Sequence, residues 1–319
     1  MTQAAFSFIG TEIVAIAAGE AKNPRRNIPR AIKKVYIRIL LFYILGTFII
    51  GLLVPFTNPD LGVKSTAFSS PFVIAIRAAG IKGLPSVINA ALLTSAWSAA
   101  SSDLYTSSRA LYGLAISHNA PKIFSRTTRS GLPYVSIIFC ALFCTLSYMG
   151  IHSGSNKVFG WFANMTAIAG LMTWFGIGFT YLRFYAGVKA QGIDRDSLPF
   201  KSPLQPFLAY YTVVSTIVIC FVRPHFPPFY ISSHFCLLQF SGFSVFLKDN
   251  WDSATFVTNY LPFILFPILY LIGRFILYRT PIVRAQDMDF VSGIAEIEAD
   301  SYEEDPPRNF IERFWKWLM

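Results

Sequence analysis

Six blocks of the chain are apolar over the length needed to cross a bilayer: Tyr36 to Phe56, Leu84 to Leu104, Pro133 to Ile151, Phe159 to Leu182, Leu204 to Val222 and Phe256 to Tyr278. A helical span needs about 20 predominantly apolar residues to cover roughly 30 Å of hydrocarbon, and an open chain satisfies its own backbone there only as a helix. Apolar residues bunched in this way do not follow the helical or strand period of a soluble fold. Composition agrees: 54% of residues are hydrophobic and only 14% charged, too apolar for an ordinary soluble domain. The predicted fold class is an all-α polytopic membrane protein. Its helices are expected at 4–18, 36–56, 84–113, 133–151, 159–185, 204–222 and 256–278, forming a transmembrane domain over 1–280 with a cytoplasmic tail at 281–319.

The net charge of +10 could suit nucleic acid, so the placement of the charges decides its meaning. When the loops are assigned alternately to two sides, one side holds 21 of the Lys and Arg residues and the other 6. Such an imbalance marks the richer side as cytoplasmic, which runs the first segment from outside to inside. A phosphate-binding surface would not alternate with hydropathy, so no nucleic-acid partner is expected. Cys140, Cys144, Cys220 and Cys236 lie in or beside apolar blocks without metal-ligand spacing and read as packing residues. His118, His152, His225 and His234 stand alone, and there is no G-x-S-x-G, P-loop or dinucleotide fingerprint. The expectation is no enzyme, no metal and no cofactor.

The opening segment is the exception among the apolar blocks. Ala4 to Ala18 has 15 residues and contains Gly10-Thr11-Glu12, too short and too polar for a straight span. It is followed by Glu20-Ala-Lys-Asn-Pro-Arg-Arg-Asn-Ile-Pro-Arg, a basic connector in which Pro24 and Pro29 are expected to break any continuing helix. Met1-Thr-Gln has no basic region of the kind that precedes a signal peptide, and the chain reads as the later part of a longer one. Pro71 to Ala79 has an amphipathic helical pattern too short to cross. The second half of the 84–113 helix is crowded with small and hydroxyl residues, which suits close helix packing in a bilayer, and it contains the carboxylate of Asp103. The tail is acidic and then aromatic and basic, its "FIERFWKWLM" end a candidate surface helix.

Glu12 is costly where it stands. A charge at bilayer depth costs about 2.5 to 3.5 kcal/mol on insertion scales, and each backbone group left unpaired by a broken helix adds several kcal/mol. Such costs are tolerated where broken backbone lines a wet cavity and its freed groups bind a ligand. The alternative is that Gly10 only permits close packing, with Glu12 neutral and hydrogen-bonded to a neighbour. Both readings turn Glu12 toward the bundle.

The stretch "FSFIGTEIVAIAAGEAKNPRRNIPRAI" resembles the sixth transmembrane helix and following loop of fungal amino acid permeases, in the amino acid, polyamine and organocation superfamily. "SPFVIAIRAAGIKGLPSVINA", "SSRALYGLA", "APKIF", "GLPYVSI", "LPFKSP", "VTNYLPF" and "DMDF" match the same family in the same order. The resemblance covers nearly the whole chain, from the family's sixth helix to its end. It implies the second half of a leucine-transporter-type inverted-repeat fold plus two further helices, in a multi-pass protein of the plasma membrane. It also implies amino acid transport coupled to protons, with membrane lipid as the surrounding partner. By the same resemblance the substrate ammonium is held at Phe6, Ser7, Phe8 and Ile9, with Gly10 and Thr11 also in the substrate site and Glu12 a candidate for proton coupling or for polarising the site. Ser98, Ser101 and Ser102 would face the centre from the eighth helix, and Thr173 and Trp174 from the tenth.

The carboxylate of the substrate would sit on the family's glycine-rich first helix, which has no counterpart in this sequence, so the chain alone is expected not to transport. A seven-helix receptor and a non-transporting membrane fragment are the rival readings. The 15-residue opening argues against a receptor. A family member passes almost directly from the eleventh helix into a stretch like "FSGFSVFLKDNWDSATF"; here "VRPHFPPFYISSHFCLLQ", Val222 to Gln239, intervenes and reads as translated intron or a fault in the gene's assigned boundaries. Sequencing the transcript is expected to give a message spliced without these codons, and a mature message that keeps them would contradict that reading.

Overall fold

The computed structural model describes residues 7–16, 18, 21, 23–59, 61, 70–80, 83–198, 200–221, 251–278, 281–299, 309, 310, 312 and 313. Phe6 and the stretch 222–239 lie outside the described residues. The described structure is helical and contains no strand. The chain divides into two units, one of Met1–Gly10, Ala21–Pro29 and Ser153–Met319, the other of Thr11–Glu20 and Arg30–His152.

In the second unit, α1 (Ile13–Ile16) is a single turn packed on α4 (Leu84–Ile116). Helix α2 runs Pro24–Leu53, beginning in the first unit and continuing through the second. Its 30 residues extend about 45 Å at 1.5 Å per residue, so its basic first turns reach past a bilayer's hydrocarbon. The connector prolines do not break it, which corrects the sequence reading. Pro24 occupies the first helical position, where no intrahelical N–H is needed, and Pro29 forfeits only the bond to the Arg25 carbonyl in the second turn. Along α2, Phe42, Phe48 and Leu52 are 69%, 62% and 71% exposed. In water that face would be an aggregation surface, whereas lipid tails solvate it as well as protein would.

Helix α3 (Pro71–Ala78) starts on its proline, buries Val73 and Ile74 and packs on α4. Helix α4 carries nine Ser and Thr residues, and many of their hydroxyls are satisfied within the helix. Thr94 donates to the Ala91 carbonyl, Ser101 to Trp97, Thr106 to Ser102, Ser107 to Leu104 and Ser108 to Tyr105. Bonding back to the preceding turn keeps these groups paired in a low-dielectric setting. Beyond it, α5 (Tyr134–Leu142) passes through 3-10 turns (Phe143–Tyr148) into α6 (Met149–Ser153). The fully buried Ser136 donates to the Phe124 carbonyl at 2.9 Å and pins the preceding loop to α5.

The first unit is organised by α7 (Ser155–Ala190), whose main partners are α8 (Phe207–Phe221) and α9 (Ser253–Leu271). Leu171, Met172 and Cys220 form its buried cluster, with Trp174, Ile219 and Phe263 packed around it. A Cβ at Gly178 would lie 3.0 Å from Val213 Cγ2, so the absence of a side chain there brings α7 and α8 together, as small residues do between membrane helices. Helix α9 is capped by Asp252, which accepts from the Ala254 amide, and continues into π-helical turns over Ile272–Tyr278. Among the described residues, four helical stretches are long and apolar enough to cross a membrane: α2, Tyr134–Ile151, Lys157–Ala190 of α7 and Phe256–Phe275.

The loop after α7 is tied back to it by Arg195, which donates to the Tyr181 hydroxyl at 3.1 Å and stacks over the Tyr185 ring. Lys201 bonds the Asp196 carboxylate and holds its pKa below the usual carboxylate value. The tail then returns along the last turns of α7. Arg183 donates to the Val283 carbonyl at 2.6 Å, and Gln191 Nε2 reaches the carbonyls of Ala285, Gln286 and Met288 at 3.3, 3.2 and 2.7 Å. Phe290 meets Phe184 edge-on at 5.5 Å. Asp289 accepts from the amides of Val291 and Ser292; hydrogen bonds from the Ser292 side chain, then its backbone and that of Val291, hold the carboxyl down to about 2. Glu298, in α10 (Ile294–Ala299), pairs with Arg25 at 2.9 Å.

At Gly187 a Cβ would fall 2.5 Å from Met288 Sδ and 2.9 Å from Phe290 Cζ, so the tail lies against bare α7 backbone. Gly187→Leu is therefore expected to lift residues 288–290 away. Trypsin cleavage at the exposed Arg284 of the membrane-embedded chain, mapped by mass spectrometry, should accelerate several-fold. An unchanged rate would show that the tail is not held there.

Candidate functional site

The opening segment is not helical through its middle. Ser7 to Glu12 lie in turns, half-buried, and regular helix begins only at Ile13. Gly10 has φ +98°, a conformation that residues with a side chain rarely adopt, so the turn between the β-branched Ile9 and Thr11 is made at the one residue there without a Cβ. Glu12 starts α1 by accepting the Ala15 amide at 2.9 Å, and the Thr11 hydroxyl donates to Glu12 Oε2 at 3.4 Å.

The residues singled out in the sequence fall into the two units. Ser7, Phe8, Ile9 and Gly10 share the first with Thr173 and Trp174. Thr11 and Glu12 share the second with Ser98, Ser101 and Ser102, and there α1 rests on the serine-bearing α4. All three serines are exposed. Ser101 spends its proton on the Trp97 carbonyl at 3.0 Å, yet it also lines a cleft of about 220 Å³ with Tyr105, Ser108, Arg109, Leu132 and Ile137.

In the first unit, Thr173 is exposed and donates to the Ala169 carbonyl at 3.0 Å, while Trp174 is half-buried against the Leu171, Met172 and Cys220 cluster. Ile9 reaches α7 at Gly170, where a Cβ would stand 2.5 Å from its Cδ1 and 2.6 Å from its Cγ1. That contact had no local sequence signal, since a glycine within a glycine-bearing membrane helix is ordinary until its partner is known. Among the described residues no group of three His, Cys, Asp or Glu could hold a metal ion.

Long apolar helices, an interrupted opening segment and a lipid-compatible exterior define a multi-pass helical membrane protein. The profile of the amino acid permease family matches residues 1–284, and the chain belongs to that family. It is 40% identical over 317 residues to the lysine-specific permease of Saccharomyces cerevisiae, covering 99% of this chain and 48% of that protein. It is 40% identical to the proline-specific permease of Emericella nidulans, covering 100% of this chain and 56% of that protein. A basic amino-acid permease of Saccharomyces cerevisiae is 37% identical over 100% of this chain and 52% of its own length. The chain thus spans about half the length of the curated relatives it matches. No solved structure matches it.

The turn at Gly10 is testable by itself. Gly10→Ala is expected to cost about 1–2 kcal/mol by forcing a Cβ into a left-handed conformation, read as a lower melting temperature of the detergent-solubilised chain. Gly160→Ala, in open space within α7, is the control, expected to be neutral or stabilising through helix propensity.

Proposed function

We propose that this chain supplies the second half of a proton-coupled amino acid permease of the plasma membrane. The observation that carries the reading is the non-helical stretch Ser7–Glu12, with Gly10 at positive φ and a carboxylate at its end, inside a segment otherwise apolar enough for lipid. Non-helical backbone at membrane depth is tolerated where it lines a cavity. By the family resemblance, the carbonyls of Phe6, Ser7, Phe8 and Ile9 would hold the substrate ammonium, while Gly10 and Thr11 shape the turn. By the same resemblance, Ser98, Ser101 and Ser102 of α4 and Thr173 and Trp174 of α7 would contribute to substrate binding. Residues 1–280 would form the second five-helix repeat and two further helices, with residues 281–319 on the cytoplasmic side.

Glu12 is the proposed proton carrier. Moving one charge through the membrane is worth about 2.3 kcal/mol per 100 mV, so a carboxylate that picks up and releases a proton couples uptake to the potential as well as to pH. The named relatives are lysine-specific, proline-specific and basic amino-acid permeases; their common denominator is the α-amino acid core, which is the part the proposed cradle reads.

A polypeptide of residues 1–319 expressed alone offers no counterpart of the relatives' other half, and radiolabelled amino acid uptake is expected to be absent. Co-expression with an upstream half providing five spans should restore uptake that grows as the external pH falls. Glu12→Gln should then remove most of that pH-driven component. Robust uptake by the chain alone, or uptake in the co-expressed form indifferent to both pH and Glu12→Gln, would overturn the proposal.

A further inference from the structure

The contact between the broken segment and α7 rests on a missing side chain. Gly170 is buried, and a Cβ built there would meet Ile9 Cδ1 at 2.5 Å, Cγ1 at 2.6 Å and Cγ2 at 3.4 Å. Carbon atoms in good contact stand about 3.5–4.0 Å apart, so even alanine demands a displacement on the order of 1 Å. Ile9 is poorly placed to yield by itself, because branching at Cβ confines its χ1 to few positions. Both of its branches face the notch, so turning one aside brings the other in. The relief must come in large part from the backbone of Ser7–Gly10, which is short, turned and fixed at Gly10.

Gly170 also stands three and four residues before Thr173 and Trp174, and residues at those spacings are neighbours on one side of a helix. Trp174 is anchored in the Leu171, Met172 and Cys220 cluster, which keeps this part of α7 from moving with the segment. The distance between the Ser7–Ile9 carbonyls and the Thr173 face of α7 is therefore set at the Gly170 notch.

We infer that Gly170 is a specificity-determining positioning residue: its lack of a side chain sets the spacing between the backbone that receives the substrate ammonium and the helix face beside the substrate's side chain. The inference rests on the proposed transport function. Gly170 touches no substrate and acts through Ile9. A displacement near 1 Å of positioned groups costs up to about 10²-fold in enzymes, and here it falls on recognition, because the carbonyls move with Ile9, while Glu12 lies beyond the Gly10 turn and is tied by its carbonyl to the first turn of α1.

The test uses the full chain co-expressed with the upstream half, with initial uptake rates normalised to the amount of protein at the cell surface. Gly170→Ala is expected to raise KM by at least about tenfold while Vmax per molecule changes much less. Ile9→Ala, which empties the notch, is expected to bring KM of the Gly170→Ala protein back toward the parent value. The order of preference among amino acids with small and large side chains should shift in Gly170→Ala and return in the double variant. A parent protein that imports nothing overturns both the transport reading and this one. A parent that imports normally, with KM unmoved by Gly170→Ala, overturns this inference alone. So does a Gly170→Ala defect confined to Vmax, or one that Ile9→Ala fails to relieve, since that pattern belongs to a glycine needed only for helix packing. If Gly170→Ala fails to reach the surface, Ile9→Val and Ile9→Leu test the same contact from the other side, and a KM indifferent to both contradicts it.

Discussion

Close approach to one long helix is the constraint on which the first unit depends. Helix α7 has 36 residues, and along it bare backbone at Gly170, Gly178 and Gly187 receives Ile9, Val213 and the pair Met288 and Phe290. In a bilayer there is little hydrophobic gain from bringing helices together, because lipid tails are as apolar as leucine; what holds is dense contact between surfaces that fit. Three segments distant in the chain thus take their positions from side chains that α7 lacks. The buried cluster of Leu171, Met172 and Cys220 lies between two of these approach points and gives the helix a fixed face from which the others are measured.

The second unit solves a different problem. Its helix α4 is crowded with hydroxyls, and five of them are paired with carbonyls of the preceding turn. A serine used in this way has committed its proton and keeps only its acceptor capacity toward a neighbour. Ser101 is therefore both a satisfied helical residue and part of the cleft wall beside Arg109, its proton committed to the Trp97 carbonyl and its oxygen still able to accept.

The helical membrane class was legible because it follows from solvent: blocks near 20 apolar residues admit few other structures. The interrupted opening was legible for the same reason, since Gly10-Thr11-Glu12 in a short apolar run is hard to place in a continuous span. The connector was misread. Proline marks both helix starts and helix breaks, and Pro24 differs from a breaking proline only in where the first turn falls, which no local pattern states. The α7 contacts could not be read at all. Gly170, Gly178 and Gly187 look alike in the sequence, and their meaning lies in Ile9, Val213 and Met288, none of which is a neighbour along the chain.

The docking of the tail has a consequence for how this region tolerates change over evolutionary time. Gln191 grips the carbonyls of residues 285, 286 and 288, and Arg183 grips that of Val283, so these bonds read main chain and are indifferent to which amino acids supply it. Drift at 285–287 should therefore be nearly free. Met288 and Phe290 are in the opposite situation, because the space they fill exists only while position 187 stays empty. A lineage that gains a side chain at 187 must shrink one of them in compensation, and covariation among these three positions is the trace this arrangement would leave in a set of related sequences.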